Sequence, residues 1–512
     1  MRNTRVIATI AAITLGAFIA QPASAGLLQI WTGPSGGDWA TQSNWSNNAS
    51  VAPPNTLGED ASIGSADVNI TGTGAFSIGT LSQSNGSTLT IRDSGILGLN
   101  GIFLGTSPNS SQMLGNVVVR DLGRFVNSGT NDLTFSSGTI SVQGNGTFNN
   151  DAFQSGGRLN MLTNGHLSVT QNGLAANSGV MQSEGSITLT DTSTFTNHTG
   201  ADFSQLGGAV NILSTNGFTN LGTHTQAFGT MTVGNSSVYS NQSLYTKNGD
   251  SGTTTITDNA SFTNDDVVRL NGGATEIRNG GKFVNFFDLR QDGGTLTIFN
   301  TGELTNGPFS LGFNINGGLV QVDAGGVING GGQTTLTNGT LRVNGQVIQA
   351  GVTVNGGTLE GDGTIQSNVV NNGGVVGPGN SPGTLTIDGN YTQGSGGTLA
   401  IEIASLISFD VLDILGTADL DGTLDLTVDA GYALTAQNGD SFKIMNWNDF
   451  TGGFSIINGL DFGTGTFQVT YAADGLFLTV SDVNVPAPGA MAIFAMAVLT
   501  LIRRRAANTL PV

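Results

Sequence analysis

Apolar residues along this chain recur in a frame set by glycine. From Gly115 the frame places Val117 and Val119, then Phe125, then Asn127. It returns at Gly138 with Ile140, Val142, Phe148 and Asn150, and at Gly185 with Ile187, Leu189, Phe195 and Asn197. At Gly208 it places Val210, Ile212, Phe218 and Asn220. Gly229, Gly252, Gly273 and Gly294 open further copies. Their ring or aliphatic positions are Tyr239, Phe262, Phe283 and Leu304, and their asparagines are Asn241, Asn264, Asn285 and Asn306. The copy at Gly157 keeps Leu159, Met161 and Leu167 but has Val169 where asparagine belongs, and the copy at Gly318 keeps Val320, Val322 and Ile328 and shifts its asparagine to Asn329.

A repeat of about 22 residues is the mark of a solenoid. Within each copy the apolar pair is spaced by two, as on a strand, and no apolar set recurs at helical spacing. Clusters of Gly, Asn, Ser and Thr supply the turns. About three short strands fit in one copy, so each copy is expected to form one coil of a parallel β-solenoid, rising about 4.8 Å. Equivalent positions then stack. The pattern predicts a buried column through Val119, Val142, Leu189, Ile212, Val233, Ile256, Ile277 and Ile298, with the ring column beside it. The asparagines lie two residues beyond the rings, on the same face of a strand. An inward amide must be hydrogen-bonded. Stacked amides can bond one another along the column or cap the backbone at a turn. Asn127, Asn150, Asn197, Asn220, Asn241, Asn264, Asn285 and Asn306 are therefore expected to form a structural ladder at a corner.

Composition narrows the chemistry. The 512 residues include 79 glycines and no cysteine, and only 10% are charged. The ordinary charged share is about 25%. A disordered chain has no reason to keep regular apolar columns. Disulfides and thiolate chemistry are excluded. A net charge of −19 with 16 Lys and Arg disfavours nucleic acid and anionic lipid surfaces.

Residues 1–25 have the form of a secretory signal: Arg2 and Arg5, an apolar run from Val6 to Ala20, and Ala23-Ser24-Ala25 before a mature start at Gly26. A retained membrane anchor is the rival reading. Residues 26–65 hold Trp31, Trp39 and Trp45. Bulky rings there suit a cap over the first coil, whose edge is otherwise open to pairing; sugar stacking is the other reading. Residues 66–403 are assigned to solenoid repeats.

In the later repeats, NGGTLEGDGTI (Asn355 to Ile365), GGVVGPGNSPGTLTI (Gly373 to Ile387) and DGNYTQGSGGTLAIEI (Asp388 to Ile403) resemble the passenger-type β-strand repeat of bacterial surface proteins and autotransporters. The resemblance implies a right-handed parallel β-helix with no catalytic residue in the repeat. Residues 404–481, with longer strands and with Phe442, Trp447, Phe450, Phe454 and Phe462, resemble the β-rich C-terminal cap of such proteins, either as continued coils or as a small antiparallel layer. A linker spans 482–488.

Residues 489–512 hold an apolar run from Gly489 to Ile502, then Arg503, Arg504 and Arg505, preceded by Val485-Pro486-Ala487-Pro488. This tail resembles the bacterial PEP-CTERM sorting signal, although valine and alanine flank Pro486 and no glutamate stands where the family's usual one would be. The resemblance implies an exosortase-type protease as partner, besides signal peptidase. Arginines stay cytoplasmic, which leaves the solenoid outside. Fourteen residues rise about 21 Å against a core of about 30 Å. A transient, processed anchor in the inner membrane fits that length, and a permanent anchor is the alternative.

No catalytic, cofactor or metal residue is assigned. His166, His198 and His224 occupy different places in their coils, and no GxSxG, HExxH or P-loop is present. Asp265 and Asp266 with Arg269 form one local charged group. Asp410, Asp413, Asp419, Asp421, Asp425 and Asp429 form another that could offer oxygens to a hard cation. The expectation is an all-β, right-handed parallel β-helix with a β-rich C-terminal cap and hydrophobic helices at both ends. It is read as an exported surface protein of structural or adhesion type, with exopolysaccharide or cell-envelope material as its expected partner. The alternative is a polysaccharide-active lyase or hydrolase on the same fold, since fold does not decide function.

Overall fold

The computed structural model describes residues 28–45, 60–63, 67–71, 75–78, 81–83, 88–93, 95–99, 111–127, 133–150 and 158–483. Both expected terminal helices, and with them Val485, Pro486, Pro488 and Arg503 to Arg505, lie outside the described residues.

One coil shows how the sequence builds the rod. Thr253–Ile256 forms a strand on one face, Ser261–Asn264 on a second and Val267–Leu270 on a third; Ala274–Ile277 then returns to the starting face, one level on. Alternation sends Ile256, Phe262, Asn264, Val268 and Leu270 inward. Ile256 lies in parallel register with Ile277, Phe262 with Phe283 and Val268 with Leu289. The chain runs from Asn271 into the next coil through Gly272 and Gly273. A Cβ at Gly273 would lie 2.2 Å from the carbonyl oxygen of Gly252 in the coil below, and the residue has φ +63°. Only glycine fits a backbone that close and that left-handed. This is why glycine sets the repeat.

The aliphatic column is continuous. Val119 pairs with Val142, Val142 with Val169, Val169 with Leu189, and the file continues through Ile212, Val233, Ile256, Ile277 and Ile298 to Val322. All of these are buried. Beside it the ring centroids of Phe195 and Phe218 lie 4.6 Å apart, Phe218 and Tyr239 5.1 Å, Tyr239 and Phe262 4.5 Å, and Phe262 and Phe283 4.8 Å. Each stacked contact adds about 0.5–1.5 kcal/mol to the burial of the ring.

Two copies differ from the pattern. The frame at Gly157 is out of phase. Arg158–Val169 is one long strand that crosses two faces: Leu159 and Met161 pair with Met181 and Ser183, whereas Leu167 and Val169 pair with Ile187 and Leu189. This copy therefore opens at Gly165, beside Gly138, and its ring and amide positions are Ala175 and Asn177. In the Gly318 copy Ile328 faces inward beside Leu304, but Asn329 stands beside Thr305 on the outer side. Its amide donates to Glu303 Oε1 at 2.7 Å and takes no part in the ladder.

Both ends carry additional packing. Trp31, Trp39 and Trp45 are buried. Trp45 makes edge contacts with Trp31 and Trp39 at 5.2 and 4.7 Å, its Nε1 donates to Trp39 O at 3.0 Å, and Trp39 lies 6.1 Å from Phe76 at the head of the ring column. The three rings are thus buried against one another and against the start of the ring column. After Ile403, parallel pairing continues through Val411–Ile414, Thr417–Leu420 and Thr423–Val428 to Asp449–Gly452 and Ile456–Asn458. Gly475–Ser481 then pairs antiparallel with both Ser441–Asn446 and Thr466–Ala472, so coils and an antiparallel layer are both present. Among the described residues the only helical turns are Gln42–Asn44 and Ala430–Ala433, and no helix is long and apolar enough to cross a membrane.

Candidate functional site

The side chains that the sequence singled out meet at one corner of the rod. Asn127 donates from Nδ2 to Oδ1 of Asn150 at 2.8 Å, and Asn150 to Asn177 at 2.7 Å. Asn177 donates to Asn197, Asn197 to Asn220 and Asn220 to Asn241, each at 2.8 Å. Asn241 donates to Asn264 at 2.7 Å, Asn264 to Asn285 at 2.8 Å and Asn285 to Asn306 at 2.9 Å. The second amide hydrogen is also used. Asn197, Asn220, Asn241 and Asn264 donate to the backbone oxygens of Thr223, Leu244, Val267 and Asp288, which begin the strands after the corner. These four asparagines therefore each join two coils and hold one turn. The file ends at Asn306, whose Oδ1 accepts from Ser310 Oγ as well.

The next corner carries a second file that the sequence reading missed. Gln205, Gln226 and Lys247 stack in register. Gln205 Nε2 donates to Thr230 O at 2.8 Å and Gln226 Nε2 to Thr253 O at 3.1 Å; Lys247 Nζ donates to Ala274 O, the same position one coil on. The lysine is fully buried. Around it Tyr245 Oη and Thr254 Oγ1 donate to Gln226 Oε1 at 2.7 and 2.6 Å, and His224 Nδ1 lies 2.6 Å from Tyr239 Oη. Burial lowers the His224 pKa to about 3. Burial also lowers that of Lys247 to about 7, against the opposing pull of the Glu276 carboxylate. These groups are sealed inside the rod and can hold coils together, but no substrate reaches them. Their signal in the sequence was polar residues recurring at coil spacing at the end of one strand, masked because the three residue types differ.

The carboxylates are dispersed. Asp265 and Asp266 lie on the ladder corner, where Asp266 N donates to Asn264 Oδ1 at 3.4 Å and Asp266 O accepts from Asn264 Nδ2 at 2.8 Å; Arg269 forms no ion pair with them. Asp410 accepts from Gly383 N and Glu402 N, both at 2.8 Å. Burial raises its pKa to about 6, and those two backbone donors oppose the rise. Asp413 accepts from Asn446, Asp419 from Thr451 and Asp421 from Gly422 N. Asp429 caps the turn Ala430–Ala433 through Gly431 N at 2.7 Å. Asp425 lies exposed on the face of Thr423–Val428. These six residues are spread over three faces and a turn, and among the described residues no three His, Cys, Asp or Glu come together as a metal site.

No protein-family model matches the chain, and no curated protein does. Among solved structures it is similar to the Haemophilus influenzae Hap adhesin, at 14% identity and a TM-score of 0.33, over 83% of this chain and 63% of that one. It is also similar to a TibC-catalysed, hyper-glycosylated TibA fragment, at 15% identity and a TM-score of 0.22, over 78% and 96% of the two chains. The chain thus spans less than two thirds of the Hap adhesin. Superpositions this loose say nothing of a ligand, and the solenoid rests on the chain's own strand pairing.

Proposed function

We propose that this chain is an exported cell-surface or extracellular protein of structural, adhesion type, without catalytic activity. A signal peptidase removes residues 1–25. Val485, Pro486 and Pro488, with the apolar run and Arg503 to Arg505, form a PEP-CTERM-like signal that an exosortase-type protease reads while the tail sits in the inner membrane.

The observation that carries this reading is the ladder from Asn127 to Asn306. The amides are here bonded from coil to coil, in a rod whose outward strand positions include many Thr and Ser and whose turns also expose rings such as Phe228, Phe286 and Phe309. Several candidate carboxylates are likewise engaged: Asp410 by Gly383 N and Glu402 N, Asp413 by Asn446, Asp419 by Thr451 and Asp429 by Gly431 N, while Asp425 stands exposed. Contacts repeated along such a rod add up through avidity without one strong site, which suits attachment to exopolysaccharide or cell-envelope material.

Incubation of the purified mature chain with a panel of neutral and acidic polysaccharides, assayed for both retention and cleavage, tests it. Retention without cleavage is the expected result. Cleavage of any member would favour a polysaccharide-active enzyme on the same fold.

A further inference from the structure

The outer surface carries a recess that neither ladder explains. On the corner between the faces of Thr295–Ile298 and Glu303–Asn306, three successive turns are four residues long: 278–281, 299–302 and 323–326. The next two coils turn in two residues, Asn344-Gly345 and Asp362-Gly363, and the following coil in five, 379–383. The short turns form a floor with a long turn standing at each end. The far wall is held firmly. Gly379 N donates to Gly361 O at 2.6 Å and Gly361 N to Gly379 O at 3.2 Å, and the Asp410 carboxylate holds Gly383 N. Asn380 reaches back over the floor, its Nδ2 3.1 Å from Asn344 Oδ1. The trough is shallow and widely open to solvent, with about 640 Å³ of space along it, which suits a chain laid on the surface better than a small molecule enclosed in a pocket.

Its lining is polar and ordered along the rod. Asn300, Asp323, Asn344, Asp362 and Asn380 enter from successive coils, with the half-buried Phe299 ring and Ala324 between them. Asn344 Oδ1 is occupied by Asn380 Nδ2 and by Asp362 N, which leaves the Asn344 amide hydrogens for a ligand. The Asp362 carboxylate and the Asn300 amide make no hydrogen bond to another described residue.

The geometry points to a binding site for a neutral polysaccharide segment lying along the rod axis. Hydroxyls can donate to Asp362 and Asp323 and accept from Asn344 and Asn300. These groups repeat at the coil rise of about 4.8 Å, and the apolar face of a sugar ring can lie on Phe299. Arg278 also lines the trough, but Glu276 pairs with it at 3.2 Å, so the two carboxylates, on a chain of net charge −19, oppose uronates and sulfated chains. The site deepens the surface-adhesion reading and rests on it only for the source of the glycan.

The test is retention of the mature chain on immobilised neutral glucans, mannans and galactans against alginate and heparin. It uses the wild type, the double variant Asn300→Ala/Asp362→Ala, and Ala324→Arg, which fills the trough from an exposed position. Retention of the wild type on at least one neutral chain and not on the acidic ones is expected. Loss of two charge-assisted or amide contacts should weaken it by about tenfold or more, and Ala324→Arg should abolish it while thermal unfolding stays unchanged. Equal retention of all three proteins, or preference for alginate, would overturn the site. So would calcium-dependent stabilisation lost in Asp362→Ala with no neutral-glycan retention, because the carboxylates would then serve a cation. Attachment of host cells carrying Ala324→Arg separates the two ideas: unchanged attachment by a surface-exposed variant rejects the trough alone, whereas absence of the protein from the surface rejects the adhesion reading whatever the purified chain binds.

Discussion

Asn241 Nδ2 donates to Asn264 Oδ1 at 2.7 Å, across 23 residues of sequence and one coil of the rod. The same nitrogen reaches Ser243 O at 2.6 Å and Val267 O at 3.2 Å. Both are backbone oxygens next to a corner with little water to replace a lost donor. Asn241→Ala should therefore destabilise the rod by about 1–3 kcal/mol for each buried group left unpaired. Because coils contact chiefly their neighbours, hydrogen exchange should rise first in residues 218–285 and later elsewhere. Uniform loss of protection along the whole chain would mean that the ladder is not local in its action.

Phe262 is 1% exposed, between the rings of Tyr239 and Phe283. Phe262→Ala should cost about 3–5 kcal/mol, as truncated core aromatics do. Phe309 is 92% exposed on the turn after Asn306, and Phe309→Ala should change stability by no more than about 0.5 kcal/mol. Denaturant titration of the two variants side by side checks the inward and outward assignment.

Glycines divide the same way. At Gly273 a Cβ would meet a backbone oxygen at 2.2 Å, whereas at Gly377 nothing lies within 4 Å. The left-handed backbone alone costs about 1–2 kcal/mol for a residue with Cβ, so Gly273→Ala should lose more than that through the clash. Gly377→Ala should be neutral or slightly stabilising. Thermal melts of the two proteins distinguish these outcomes.

The interior polar file makes the rod acid-sensitive. The folded pKa of His224 lies at about 3 against an ordinary 6.5, and that of Lys247 at about 7 against 10.5. In both windows the unfolded chain binds the proton that the folded chain refuses, so stability falls as pH drops from 10.5 to 7 and again from 6.5 towards 3. Lys247→Gln places there the residue type that already serves at Gln205 and Gln226. It should raise the denaturation midpoint at neutral pH and flatten the dependence between pH 7 and 10.5. An unchanged slope in that variant would locate the pH dependence elsewhere.

The sequence made the columns legible because stacking forces one residue class to recur at one place in every coil. Val119 to Ile298 and Asn127 to Asn306 could be read for that reason. Asn177 was missed because its coil carries a longer stretch before Gly165, and a frame counted from the nearest glycine locked onto Gly157. Asn329 looked like a displaced ladder residue, but a shift of one position on a strand turns a side chain to the opposite face. The corner file of Gln205, Gln226 and Lys247 was hidden because a lysine and glutamines perform one task, donation to the same backbone oxygen. The trough could not be read at all. It is made by a difference in turn length between neighbouring coils, and its residues come from turns as far apart in sequence as Asn300 and Asn380.

Sorting is the central claim, and intact-mass spectrometry of the protein released from the surface of its native host tests it most directly. The account predicts a chain that begins at Gly26 and ends between Pro486 and Gly489, without Arg503 to Arg505. Released protein that still ends at Val512 would contradict processing of the tail, and a chain confined to the cytosol with Met1 intact would contradict export altogether.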